Sequence, residues 1–234
     1  MPSASGLSRD QRIRCRDRVV QAARLTLANK EHTHYTEGPQ RWDGIKNRRN
    51  AEIGQFPEYS DCSSFATWCL WNGLMLRFGL GDVVNGAGWT AGYTGTMLEH
   101  GLAVRYPSNV LPGDCVIYGN GPPGVHCAVV AGMVNGTPVV ISHGSEPGPF
   151  YLAYNYRPDI LQIRRYIWPH GLACLAADAD DWHRAAVLHG VAQAFLDPGR
   201  RPWEEGRAGR PAALPPPGGA PWPEVVPGRR RRAS

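Results

Sequence analysis

No apolar run of about 18 residues occurs in this sequence, so a membrane-spanning helix is not expected. No Cys-x-x-Cys pair occurs among the six cysteines Cys15, Cys62, Cys69, Cys115, Cys127 and Cys174. The opening "MPSASGLSRDQRIRCRDRVV" holds no apolar segment before a small-residue cleavage site, so a secretory leader is not expected. Cytoplasmic synthesis follows, and with it a reduced state rather than a disulfide framework. Cys62 and Cys69 would share one helix face, but seven residues of helix rise about 10 Å, too far for a bridge. There is no internal repeat and no metal-ligand spacing signature. No folded basic surface interleaved with aromatics stands out, so a specific nucleic-acid partner is not expected.

What is present fits one domain with tails: 234 residues, 42% of them apolar, with 8 Trp and 9 Tyr. Gly (28) and Pro (21) are plentiful and predict many turns. The net charge of +5 is uneven, since residues 199–234 carry eight Arg and three Glu and end in "GRRRRAS". Such an end suits an anionic wall polymer or a membrane surface. A solvated tail with no partner is the competing reading.

The pattern predicts four parts. Residues 1–33 form an N-terminal helical extension, with a helix over 8–29 capped by Ser8 or Asp10. Residues 34–170 form the main domain, 171–197 a helical segment, and 198–234 a disordered Pro/Arg-rich tail. Within the main domain a helix spans 62–78, its apolar side made of Phe65, Trp68, Cys69, Leu70, Met75 and Leu76. Strands are expected at 115–118, 125–134, 137–143 and 161–167, with a short helix in "TGTMLEHG". Helices first and antiparallel strands after give an α+β fold, with the sheet packed on the Cys62 helix.

Ser60 or Asp61 caps the Cys62 helix and puts the thiol in its first turn. The positive end of a helix favours a thiolate. "NG" at 135–136 is a hairpin signal. An unbulged ladder through it pairs Val134 with Thr137, His126 with Ser145, and His143 with Ala128. His126 and His143 then share a face with Val130, as diagonal neighbours about 7–8 Å apart between Cα atoms. That face is expected to meet the Cys62 helix. Nucleophile, base and orienting group are thus Cys62, His126 and His143. Cys69, Cys115 and Cys127 read as core. A zinc site on Cys62, His126 and His143 competes on ligand type alone, and neither metal nor cofactor is expected. Asp61 reads as a cap and Asp114 as a turn residue.

"DCSSF" ahead of an apolar helix resembles the nucleophile motif of NlpC-type cysteine peptidases, and "LPGDCVIYG…GVHCAVVAG" resembles their following strand pair. "HYTEGPQRWDGI", "GYTGTMLEHG" and "ISHGSEPGPFYLAYNYRPDILQIRRYI" extend a likeness to N-terminal peptidase modules of actinobacterial phage endolysins over about residues 34–168. The resemblance implies a papain-like fold, a Cys62–His126–His143 thiol mechanism and cleavage of a peptidoglycan stem-peptide amide by a monomer. It also implies action at the cell wall after release. Three features depart from the pattern. A Tyr-x-Trp-Gly-Gly element is missing, with Tyr35 or Tyr59 standing in for its Tyr. Ser64 replaces Gly, and Cys127 follows the His where Val is usual. Ser63, Trp42, Trp89 and Tyr93 are the further candidates for contact with a peptide–glycan strand. An N-acetylmuramoyl-L-alanine-type amidase with the same three residues, a zinc amidase, and a non-catalytic wall-binding module are the alternatives.

Overall fold

The computed structural model describes residues 7–105 and 109–168. The helical segment expected at 171–197, the tail from 198 and Cys174 lie outside the described residues. Helix α1 spans Arg9–Ala28. Ser8 caps it with a reciprocal pair: its hydroxyl accepts from the Gln11 N–H, and the Gln11 side chain accepts from the Ser8 N–H. α1 is an integral wall of the core, because Cys15, Val19, Ala22 and Ala23 are buried.

A short α2 (Asp43–Lys46) follows. The central element is α3, Cys62–Phe78, ended by Gly79 in the left-handed conformation (φ 62°). Every residue of α3 from Cys62 to Leu74 is buried, so it is enclosed on all sides rather than on one stripe. Its buried polar groups are satisfied locally. The Thr67 hydroxyl donates to the Ser63 carbonyl (2.8 Å), and the Asn72 carbonyl oxygen accepts from the Ala51 N–H (2.9 Å). Met75 and Leu76, expected on the apolar side, lie beyond this enclosed stretch and are exposed. α1 and α3 touch at Gly73, where a Cβ would stand 2.6 Å from Val19 Cγ2 and 2.8 Å from the Cys15 carbonyl oxygen.

Strands β1 (His34–Tyr35) and β2 (Tyr59–Ser60) pair in parallel beside the start of α3. After α4 (Thr94–Glu99), six strands form an antiparallel sheet: β3 (Leu102–Val104), β4 (Cys115–Tyr118), β5 (His126–Val134), β6 (Thr137–Ser142), β7 (Phe150–Ala153) and β8 (Ile160–Arg165). Their spatial order is β3-β8-β4-β5-β6-β7. The α+β class is therefore the observed one, with α3 packed on the sheet. None of the described helices is long and apolar enough to cross a membrane.

The β5–β6 turn forms as expected, with Asn135 and Gly136 both at positive φ (49° and 76°) and Val134 opposite Thr137. The register then slips. Gly132 pairs with Val139 and Val130 with Val140, so Ala131 is a bulge. Val129 consequently faces Ile141, one residue off the unbulged ladder. Because side chains alternate, one residue of shift exchanges the two faces of β6 relative to the start of β5. The face packed with α1 and α3 carries Cys115, Ile117, Cys127, Val129 and Ile141. Ala128 and Val130 instead join a cluster on the opposite face with Val116, Tyr118 and Val140. The expected placement of Ala128 and Val130 against α3 is thus corrected, while His126, at the end of the strand, still reaches the first residue of α3.

Asp114 sits between β8 and α1 and is fully buried. It accepts two hydrogen bonds from Arg165, Nε to Oδ1 (2.9 Å) and Nη2 to Oδ2 (2.7 Å), and one from the Leu111 N–H (2.8 Å). Arg16 approaches from α1 at 3.4 Å and also donates to the Pro112 carbonyl (3.0 Å). The Pro-Gly-Asp turn therefore anchors the N-terminal helix to the sheet.

Candidate active site

Cys62 is the first residue of α3, and Asp61 is its cap. Asp61 Oδ1 accepts from the Ser64 N–H (2.6 Å) and from the Ser63 hydroxyl (3.0 Å); Ser64 Oγ in turn accepts from the Asp61 N–H (2.9 Å). The other oxygen, Oδ2, takes the Arg41 guanidinium at 2.6 Å. The cap occupies the third N–H of the helix and leaves those of Cys62 and Ser63 without a helical acceptor.

The Cys62 thiol is nearly buried, with 6% of the residue exposed. Its pKa is held well below the ordinary thiol value, chiefly by a hydrogen bond from Cys127. Burial works against this, and a hydrogen bond and the positive charge of His126 work for it. The Asp61 carboxylate pushes the thiol the other way. Cys62 is the one described cysteine placed to be a thiolate, since burial raises the thiols of Cys15, Cys69 and Cys115.

His126 opens β5, with its ring stacked on Tyr118 (centroids 5.8 Å apart) and edge-on to Tyr156 (6.5 Å). The backbone of Gly144 lies flat against it; a Cβ there would stand 2.9 Å from Cε1. Its Nε2 is 2.7 Å from Ser142 Oγ, which is 3.2 Å from the Tyr156 hydroxyl. Nδ1 is then the nitrogen left for the thiol. Burial raises the Tyr156 pKa to about 12, so the phenol keeps its proton. A chain of polar groups runs Cys62, His126, Ser142, Tyr156.

His143 is not part of that chain, which corrects its expected role. The bulge puts Ser142 on the His126 side of the sheet and turns His143 to the α3 side. There the ring is fully buried, edge-on to Tyr35 (5.5 Å) and Phe65 (6.0 Å). Its Nδ1 is 2.9 Å from Ser60 Oγ, and its Nε2 has no hydrogen-bond partner. Burial lowers its pKa from the ordinary 6.5 to about 4, so it is neutral at pH 7. The unfolded chain takes up this proton near pH 6.5 and the folded chain does not. The stabilising contribution is therefore complete above pH 6.5 and is lost as pH falls toward 4. Urea unfolding is expected to show wild type losing about 3 kcal/mol more than His143→Gln between pH 7 and pH 4. Equal losses would contradict this reading of His143.

The remaining candidates divide. Trp42 and Trp89 are buried in the core (6% and 3% exposed), and the Trp89 indole donates to the Leu80 carbonyl (3.1 Å). Ser63 is buried and spends its hydroxyl on the Asp61 cap. None of these three lines an open groove, because each fills a gap in the packing or serves the helix cap. Tyr59 and Tyr93 are exposed, and Tyr35 is half-buried, with its phenol pKa raised by burial and then by the charge of Cys62. Tyr93 helps to line a cavity of about 430 Å³ with Leu98, Glu99, Pro122, Pro123 and Leu161. Among the described residues no group of three His, Cys, Asp or Glu side chains is placed to hold a metal ion.

Four residues at the site were not expected there: Cys127, Ser142, Tyr156 and Arg41. The departure from Val at 127 was the available signal for the first, and the Ser next to His143 for the second. No protein-family model, curated protein or solved structure matches this chain.

Proposed function

We propose that the chain is a cysteine peptidase of peptidoglycan, cutting a stem-peptide amide, with a papain-like arrangement of nucleophile helix and sheet. The observation that carries the chemistry is a thiol of lowered pKa at a helix start with His126 as its partner. The likeness of "DCSSF" and "GVHCAVVAG" to NlpC-type peptidases carries the substrate class. Action at the wall follows release from the cytoplasm, with the Arg-rich end as a contact for anionic polymer.

In this mechanism the Cys62 thiolate attacks the amide carbonyl. The backbone N–H groups at the α3 start face the developing oxyanion and, with the helix dipole, stabilise it. His126 protonates the leaving amine and the acyl–thioester forms. Water, deprotonated by His126, then releases the acyl group and restores the thiol. Ser142 is a positioning residue that holds Nε2 so that Nδ1 faces the sulfur. Arg41 neutralises Asp61, whose charge otherwise opposes the thiolate. An amidase cutting at the first stem residue would use the same groups.

Digestion of purified actinobacterial peptidoglycan tests the thiol reading. Iodoacetamide is expected to abolish fragment release, and a chelator to leave it intact. Loss with chelator and survival of alkylation would replace this reading with a zinc amidase. Ser142→Ala is expected to lower kcat/KM by about 10- to 100-fold, and His143→Gln by less than about threefold. The reverse order would return the orienting role to His143.

A further inference from the structure

We propose that Cys62 and Cys127 are a peroxide-reactive dithiol: hydrogen peroxide oxidises Cys62, and Cys127 closes a reversible disulfide that switches the nucleophile off. The two cysteines come from elements 65 positions apart in the chain, the first turn of α3 and the second residue of β5. β5 packs against α3, and Cys62 and Cys127 are both buried in the cluster between them; each thiol is also the largest influence on the other's pKa. The Cys127 sulfur also lies 3.8 Å from Met97 Sδ, so two further sulfurs stand behind the nucleophile. Cys127 is fully buried while Cys62 keeps a small exposed area, so an oxidant arriving from solvent meets Cys62 first. A hydrolytic mechanism needs no second thiol here; an aliphatic side chain would pack the same space.

The chemistry balances in two steps. The Cys62 thiolate attacks one peroxide oxygen, the S–O bond forms, the O–O bond breaks, and hydroxide leaves. It is protonated to water at the site. Sulfur is oxidised to sulfenic acid and the peroxide is reduced. Cys127 then gives up its proton, its sulfur attacks the Cys62 sulfur, the S–O bond breaks, and that hydroxide leaves as water with the proton. While Cys62 is a thiolate, its hydrogen bond and its charge both help to keep Cys127 protonated. Oxidation removes that charge, so Cys127 becomes easier to deprotonate when its attack is required. A dithiol reductant reverses the second step and returns both thiols.

The remaining described thiols are not placed to compete. Cys15, Cys69 and Cys115 are buried with raised pKa values, so they react slowly with peroxide.

The test uses the full chain, hydrogen peroxide and mass spectrometry, and does not depend on which bond the protein cuts. Wild type treated with peroxide is expected to lose about 2 Da and to give, on digestion, one cross-linked peptide pair joining Cys62 to Cys127, released by dithiothreitol. Cys127→Ser and Cys127→Ala are both expected to gain about 32 Da on Cys62 instead, as sulfinic acid that dithiothreitol does not reverse. The proposal is overturned if wild-type Cys62 is overoxidised as far as in the two variants. It is equally overturned if peroxide leaves Cys62 untouched, or if the cross-link joins another pair.

Discussion

Asp114→Asn is expected to cost about 3–5 kcal/mol of folding stability, the largest effect of any polar substitution in the described fold. The carboxylate is fully buried and binds Arg165 through both oxygens, with Arg16 beside it. Both guanidiniums are also buried, at 2% exposure each. Removing the negative charge leaves two positive charges facing each other in a poorly solvated space. An amide keeps the shape, so the loss reports charge rather than a cavity. The Leu111 N–H loses a charged acceptor as well. Urea unfolding reads the result directly, and the midpoint of thermal unfolding should fall by roughly 10 °C. Replacing Arg165 by Met in the same chain is expected to recover part of the loss, because one of the two buried positive charges goes with it. A change below about 1 kcal/mol would mean that Asp114 is a turn residue and nothing more.

His126→Ala is expected to reduce peptidoglycan cleavage by at least about 1000-fold while leaving the protein folded. The ring acts on the reaction twice. Its charge and hydrogen bond help to hold Cys62 as a thiolate, and it is the group placed to protonate the leaving amine. Losing it removes the proton donor and raises the thiol pKa. The two effects separate in one further measurement, the pH dependence of Cys62 alkylation by iodoacetamide. In wild type the midpoint should lie well below the ordinary thiol value. In His126→Ala it should move upward but stay below that of a buried core thiol, since the Cys127 hydrogen bond remains. An unchanged midpoint would leave His126 with the proton transfer alone.

Much of this arrangement was legible before any coordinates. "SRDQ" predicted a capped helix and Ser8 and Gln11 make that cap; "DCSS" predicted Cys62 in a first turn and Asp61 is the cap. The Asn135-Gly136 turn fixed the first three pairs of the β5–β6 ladder, because its two positive φ angles permit a tight hairpin with one register. The bulge at Ala131 was not legible. A bulge has no residue code of its own, and "VVAGMV" reads as an unbroken strand. Its consequence was large: the third polar group changed from His143 to Ser142. The short strands β1, β2, β3 and β7 were missed for another reason. Two to four residues give too little periodicity to read, and their pairing is decided by tertiary contacts such as Tyr35 beside His143. The aromatic residues were the least readable from sequence. Trp42 and Trp89 fill the core, whereas Tyr59 and Tyr93 face solvent, and nothing in their neighbours distinguishes the two groups.

The most direct measurement is mass analysis of purified actinobacterial peptidoglycan after incubation with wild type and with Cys62→Ala. The thiol-hydrolase account predicts fragments with newly freed stem-peptide amino and carboxyl groups from wild type, and none from Cys62→Ala with its far-UV circular dichroism unchanged. Equal release by both proteins, or release by neither, would contradict it.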